Sequence, residues 1–362
     1  MNAAPTARVP DGAQPGLVVL FGSGETSASG SKIFQSLTPR LARPLRIAVL
    51  ETPAGFELNS AQVAGRVADF LAQRLQNDKP QVDVVPARRR GTPFSPDDPD
   101  IVAALRPASL LFMGAGSPTY AVRQLRDSLA WQTLLAAHRL GAAVALASAA
   151  TLAASAQTLP VYEIYKVGED LHWRAGLDLL AAYGLPLVVI PHWNNAEGGA
   201  ELDTSHCFMG RERFEALARL LPPGLPILGL DEHTALVIDL VAGACNVMGV
   251  GGVTLIREGR ERRWDSRASF PVSELGDAHV PGIPAGVPDS VWSEVLKARS
   301  AEPEAPAIPD EVLGLVAERK AARAAKDWPR ADAVRARLME LGWQVKDTPQ
   351  GPQLERAAPV GR

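Results

Sequence analysis

Ala143-Val144-Ala145-Leu146-Ala147-Ser148-Ala149-Ala150-Thr151-Leu152 is the stretch around which the chain is organised. An apolar run of strand character enters one serine set among very small residues, and an alanine-rich run of helix character leaves it. A serine at such a junction can occupy a nucleophile elbow, a tight turn that exposes the hydroxyl and aims the next helix N-terminus at the same point. Small neighbours suit a turn too sharp for bulky side chains. Plain packing at a strand-to-helix junction uses the same residues, so a function has to be argued from the rest of the chain.

Working outward, the unit of strand, glycine turn and helix recurs. Leu17 to Phe21 reads as a buried strand before Gly22-Ser23-Gly24-Glu25-Thr26. That turn lacks the full spacing of a dinucleotide or Walker motif and reads as the lining of a site. Leu45 to Leu50 is a second strand, followed by a helix with Val63, Val67, Phe70 and Leu71 at helical spacing, and Val82 to Val85 is a third. Arg88-Arg89-Arg90 reads as a solvated loop able to attract an acidic group. Ser109 to Met113 leads into Gly114-Ala115-Gly116-Ser117-Pro118 and another helix. Alternation of this kind predicts an α/β fold, a largely parallel sheet flanked by helices, with ligands beyond the carboxyl ends of the strands. The loops at Gly22, Gly114 and Ser148 then converge. Backbone N–H groups of Ala149 and of the Gly114, Ala115, Gly116 turn become candidates for an oxyanion hole.

A serine hydroxyl needs a base, and the base needs an orienting acid. His192 follows the apolar run Val188-Val189-Ile190-Pro191 and is the candidate base, with His172, His206 and His233 as competitors. Glu163, between Tyr162 and Ile164, is the candidate acid, and Glu169 the alternative. A plain structural role, Glu163 paired with Lys166 or an arginine, stays open beside it. Gly24, Glu25, Asn194, Asp231 and Glu232 are the expected substrate contacts. His192, Asp203, His206 and Cys207 include donor types that zinc accepts, but their spacing fits no compact zinc motif, so neither a metal nor another cofactor is expected. The surroundings of Cys207 do not read as an elbow.

The 362-residue chain is 46% apolar and 21% charged, an ordinary globular balance, and its net charge of -3 gives no overall electrostatic case for nucleic-acid binding. Two cysteines, Cys207 and Cys245, fit a reducing compartment. No run is long enough to cross a bilayer, and Met1 to Pro15 lacks a signal-peptide core, so the expected location is the cytoplasm.

Residues 16 to about 270 resemble the cyanophycinase and aspartyl-dipeptidase family, the S51 serine peptidases, which have the class I glutamine-amidotransferase-like fold. The resemblance rests on Phe112-Met113-Gly114-Ala115-Gly116-Ser117, on Ser148-Ala149-Ala150-Thr151 and on Gly176-Leu177-Asp178-Leu179, with Glu163 thirteen residues earlier. Ile190-Pro191-His192-Trp193 and Gly229-Leu230-Asp231-Glu232-His233-Thr234-Ala235-Leu236 complete it. It implies a serine-type hydrolase with a Ser148–His192–Glu163 triad, acting on a small peptide or amide of acidic or isopeptide character. Two departures stand out. Ala150 replaces an elbow glycine, at a cost on the order of 1 kcal/mol if that position needs positive φ. The stretch from Asn194 to Cys207 is unlike the family and suggests a separate branch.

The ends differ in character. Residues 1–15 read as a flexible tail, 16–275 as the α/β domain, 276–309 as a proline-rich linker with a short helix around Val291 to Leu296, and 310–356 as a small helical hairpin. Asp310 caps a first helix and Asp327 with Pro329 starts a second, whose stripe is Val334, Leu338 and Leu341; Trp343-Gln344-Val345 then reads as a short strand before a turn at 347–351. Ala322-Arg323, Lys326-Asp327-Trp328, Ala331-Asp332-Ala333-Val334-Arg335 and Lys346-Asp347-Thr348-Pro349-Gln350-Gly351 resemble the C-terminal module of cysteinyl-tRNA synthetase. That resemblance implies a tRNA contact through 310–356, favoured by local arginines and lysines. It supports a second reading, a catalytically silent α/β module carried to tRNA or a translation partner. An oligomer is compatible with either.

Overall fold

The structure, a computed structural model, describes residues 13–281, 286–300, 309–348 and 351–356. It divides into two compact units, Met1–Ala301 and Glu302–Arg362. In the first, β1 (Val18–Phe21), β2 (Arg46–Leu50), β3 (Gln81–Val85), β4 (Leu110–Met113) and β5 (Ala143–Ala147) lie parallel in the order β1-β5-β4-β2-β3. Helices α1 (Ala28–Leu37), α2 (Ser60–Arg74), α3 (Pro118–Leu125), α4 (Leu129–Arg139) and α5 (Ala149–Ala153) connect or flank them. The connections therefore place every βα turn at one edge of the sheet. Beyond Ser148 come a two-residue pair, β6 (Gln157–Thr158) with β7 (Arg174–Ala175), and then β8 (Val188–Ile190). A broken turn, α6 (Ser205–Phe208), precedes α7 (Gly210–Ala218) and β9 (Ile227–Leu230).

The remaining strands are antiparallel. β10 (Thr234–Asp239) pairs with β1, then β11 (Ala244–Gly249) and β14 (Ser269–Pro271) extend that side. A second sheet runs β13-β12-β9-β8, with β12 (Gly252–Arg257) and β13 (Arg260–Asp265) forming a hairpin. The parallel α/β expectation holds for the first half, and a mixed pair of sheets completes the fold. The two sheets meet at Gly22, where a Cβ would stand 2.0 Å from the Asp231 carbonyl oxygen, so only glycine admits that approach.

The period-two pattern of β5 explains its central place. Val144 and Leu146 face one apolar core with Val18, Leu20 and Leu111, while Ala143, Ala145 and Ala147 face the other beside Phe21, Phe34 and Phe112. Buried on both faces, the strand cannot carry a polar side chain until it ends, and Ser148 is the first residue past that end.

The linker expectation is corrected. α8 (Asp289–Ser300) lies within 276–309, yet Val291, Trp292 and Val295 are buried in the core of the first unit, and Arg299 donates to the Ala108 carbonyl at 2.5 Å. The short helix expected around Val291 to Leu296 is present and longer, and it belongs to the folded core. Residues 1–12, 282–285 and 301–308, within the expected tail and linker, lie outside the described residues. In the second unit α9 (Asp310–Ala324) and α10 (Trp328–Glu340) form the expected helical hairpin, with Asp327 capping α10 through the Arg330 N–H at 3.2 Å. Its core joins Val312, Val334 and Leu338 to Trp343 and Val345. The β-hairpin of β15 (Trp343–Thr348) and β16 (Gly351–Arg356) was not anticipated beyond a short strand at its start.

One buried histidine has a measurable consequence. His138 is fully buried, its Nδ1 lies 3.0 Å from the Ala142 carbonyl, and burial holds its pKa down to about 4. Below its ordinary value of about 6.5 the unfolded chain takes up a proton that the native imidazole refuses. This group therefore removes stability as pH falls from about 6.5 to about 4, by roughly 1.4 kcal/mol per pH unit. Denaturant melts of His138→Gln should show a shallower loss over that window; an unchanged slope would contradict the assignment.

Candidate active site

Ser148 occupies the elbow that the sequence suggests. Its backbone is at φ 52 and ψ -115, a conformation that L-residues avoid. It stands at the N-cap of α5, where a serine normally accepts a hydrogen bond from the helix. Here the side chain makes no capping bond; Oγ lies 3.1 Å from His192 Nε2. Ala150 does not have positive φ and lies within α5, fully buried, donating to the Gly114 carbonyl at 3.2 Å. The strain sits on the serine, and no glycine is needed at 150.

His192 follows β8 with φ 51 and is pinned on both sides. Its N–H donates to the Gly22 carbonyl at 3.1 Å, and its carbonyl accepts from Cys207 N–H at 3.1 Å. The ring packs against Phe208, with centroids 5.9 Å apart. On its far side Nδ1 meets Glu232 Oε1 at 2.8 Å, and Asn195 Nδ2 donates to the same oxygen at 2.9 Å. Burial pushes the Glu232 carboxyl up, but hydrogen bonds from His192 and Asn195 outweigh it and leave the pKa below its ordinary value.

The carboxylate hydrogen-bonded to His192 is thus Glu232 and not Glu163. Glu163 begins a short wide turn, Glu163–Val167, and accepts a hydrogen bond from Thr119 Oγ1; its Oε2 is buried without a donor among the described residues. The topology gives the reason. β8 and β9 are parallel neighbours with Ile190 opposite Gly229, so the loops after them carry residues 192 and 232 side by side. Glu169 is spent on His172 and Arg174 at the surface.

The other candidates sort by geometry. His172 is tied to the Asp170 carbonyl at 2.8 Å. His206 stacks on Phe214 and meets Trp193 edge to face, and burial lowers its pKa. His233 lies against Gly24, whose φ of 74 and close approach to the ring make it a turn residue. Asp231 is buried, bonded to Gly252 N–H at 2.8 Å and paired with Arg263 at 2.6 Å, so it holds the sheet instead of meeting substrate. Asn194 Oδ1 accepts from Glu232 N–H at 2.8 Å and shapes the acid's loop. Glu25 stands beside the Gly114 turn, and burial raises its pKa against the pull of His192 and His233. Asp203 is lowered to about 2 by Ser205 and the Arg211 N–H. Among the described residues no group of three or more His, Cys, Asp or Glu is arranged to hold a metal ion.

A cavity of about 360 Å³ opens over the serine, lined by Gly116, Ser148, Ala149, Tyr162, Lys166 and Phe208 among others. Ala149 N–H, in the first turn of α5, has no acceptor among the described residues, and neither has Gly116 N–H. Of the four expected oxyanion donors, Ala149 and Gly116 line this cavity, whereas Gly114 and Ala115 are not among the residues that line it. Cys207 also lines the cavity, but burial pushes its thiol up to about 12, as it does Cys245. Native protein should resist iodoacetamide at pH 8 and take up two labels only after unfolding; rapid labelling of the native state by intact mass would contradict this.

Comparison with known proteins covers the two units separately. The fold is similar to that of a solved peptidase from an acI-B1 Actinobacterium, with a TM-score of 0.58 and 20% identity over 72% of this chain and 98% of that one. A putative peptidase E protein from Listeria monocytogenes EGD-e is 14% identical with a TM-score of 0.41, over 69% of this chain and 98% of that one. Cysteine–tRNA ligase 1 of Burkholderia lata is 46% identical over 59 residues, 16% of this chain and 13% of that protein. The cysteine–tRNA ligase of Solidesulfovibrio magneticus is 59% identical over 46 residues, 13% and 10% respectively. The chain thus spans only 10% to 13% of the length of these curated relatives. No described helix is long and apolar enough to cross a membrane. Residues 305–353 match the cysteinyl-tRNA ligase anticodon binding domain.

Proposed function

We propose that the first unit is a serine-type hydrolase of an acyl bond, a peptidase or amide hydrolase, using Ser148, His192 and Glu232. The observation that carries this is the unbroken hydrogen-bonded chain from Ser148 Oγ through both ring nitrogens of His192 to Glu232, at 3.1 and 2.8 Å. In it His192 Nε2 takes the serine proton as Oγ attacks the carbonyl, and Glu232 fixes the Nδ1–H tautomer and stabilises the imidazolium. The N–H groups of Ala149 and Gly116 face the developing oxyanion. His192 then protonates the leaving group, and water repeats the sequence to free the acyl-enzyme. Lys166 and Glu197 line the cavity as groups that recognise a substrate carboxylate and a substrate ammonium. A fluorophosphonate probe tests the reading: covalent labelling at Ser148, located by peptide mass mapping, is the expected result, and no labelling counts against it.

A second reading concerns the other unit, which we infer binds tRNA; the matched residues 305–353 favour it. A gel shift of tRNA by the full chain, weakening with salt and lost on truncation after residue 301, is expected. No shift at low salt removes this reading.

A further inference from the structure

A second cavity, of about 600 Å³, adjoins the first, lined by Phe56, Arg89, Ser117, Thr119, Tyr120, Arg123 and Glu163 among others. The two share walls. Along Gly116-Ser117-Pro118-Thr119, residues 116 and 118 line the serine cavity and 117 and 119 the second; Tyr162 and Glu163 divide in the same way. A ligand lying across that wall has its carbonyl at Ser148 and its other end among these groups.

Their chemistry is specific. In the run Arg88-Arg89-Arg90 the outer two are tied, Arg88 to Glu51 at 2.6 Å and Arg90 to Asp97 at 3.1 Å. Arg89 has no acidic partner among the described residues, and neither has Arg123, which lies over the Tyr120 ring at 5.1 Å. Two unneutralised guanidiniums facing one cavity are suited to a phosphate. Phe56 packs on Tyr120 with centroids 5.1 Å apart and is 51% exposed, an aromatic face left open for a planar ring. Glu163 also lines this cavity, with Oε1 accepting from Thr119 Oγ1 and Oε2 buried behind the wall. Phosphate and planar ring together describe a nucleotide.

We propose that this second cavity receives the terminal nucleotide of an acylated RNA, and that Ser148 cleaves the ester joining the acyl group to its ribose. The inference rests on the hydrolase reading of Ser148 and names its substrate class; a tRNA-binding second unit would supply the same class of partner. Ser148 Oγ bonds to the acyl carbon as the acyl–ribose oxygen bond breaks. The serine proton passes through His192 to the ribose oxygen. Water then cleaves the acyl-enzyme, giving the free carboxylic acid and restoring Ser148.

The test uses the full chain and bulk tRNA acylated with radiolabelled amino acids, with p-nitrophenyl acetate and an aspartyl dipeptide in parallel. Wild type should release the label and S148A should not. The double variant R89A/R123A should lower kcat/KM on acylated tRNA about tenfold or more, chiefly through KM, as expected for lost phosphate contacts. F56A should do the same less severely, and AMP should compete. Label retained while the nitrophenyl ester is cleaved overturns the inference and leaves the hydrolase reading intact. So does an aspartyl dipeptide cleaved in preference to acylated tRNA, or an arginine pair without effect. No cleavage of any substrate overturns both.

Discussion

Ser148→Ala is expected to abolish fluorophosphonate labelling and to lower kcat by roughly 10^5- to 10^6-fold, since residues of a triad act as a unit and loss of the nucleophile removes the covalent route. What remains comes from binding and from the Ala149 and Gly116 donors. The fold should survive, because Oγ makes no capping bond and, among the described residues, bonds to His192 alone. A companion variant separates chemistry from strain. Ser148 is held at φ 52 and ψ -115, and glycine relieves what alanine cannot, so Ser148→Gly should be more stable than Ser148→Ala by about 1 kcal/mol while equally inactive. Equal melting temperatures would mean that the elbow stores no strain. Turnover by Ser148→Ala within a hundredfold of wild type would remove the nucleophile assignment.

The elbow was legible because it depends on near neighbours. A strand buried on both faces, a serine at its end and small residues beyond are all local features, and β1, β4 and β5, parallel neighbours in the sheet, carry their turns to one edge. His192 was legible for the same reason, as the first polar residue after β8. The acid was not. Its partner is chosen by which strand lies beside β8, and nothing in the residues near 163 or 232 declares that β9 is that strand. The resemblance pointed to Glu163, where a carboxylate among tyrosines looked like a buried group in need of a partner; it has one, Thr119. Glu232 was singled out only as a substrate contact, and the signal that distinguishes it is its place in a loop after a strand running parallel to the histidine's. The helix around Val291 to Leu296 is legible from its own spacing, but its packing is not: the flanking prolines read as a linker, and nothing local declares that Val291, Trp292 and Val295 join the core of the first unit.

Glu232→Gln should therefore cost about 10^4-fold in kcat, the scale of losing the group that fixes a catalytic imidazole. The glutamine amide can donate to Nδ1, which favours the tautomer with its proton on Nε2, and that nitrogen then cannot accept from Ser148. Asn195→Ala removes one of the two hydrogen bonds at Glu232 Oε1 and should cost less, about tenfold, as a positioning residue acting through the carboxylate. Glu163→Gln should also cost no more than about tenfold, through the substrate end that it lines, and should leave fluorophosphonate labelling of Ser148 in place. The pH dependence of stability gives a readout separate from rate. Because the native Glu232 pKa lies below its unfolded value, the carboxylate adds stability above the unfolded pKa, and this is lost as pH falls through the native one. Glu232→Gln lacks that component, so its stability relative to wild type should improve on acidification, whereas a merely exposed carboxylate would show no such convergence. The opposite ranking, with Glu163→Gln inactive and Glu232→Gln near wild type, would place the orienting acid across the cavity and require the β9–β10 loop to move during turnover.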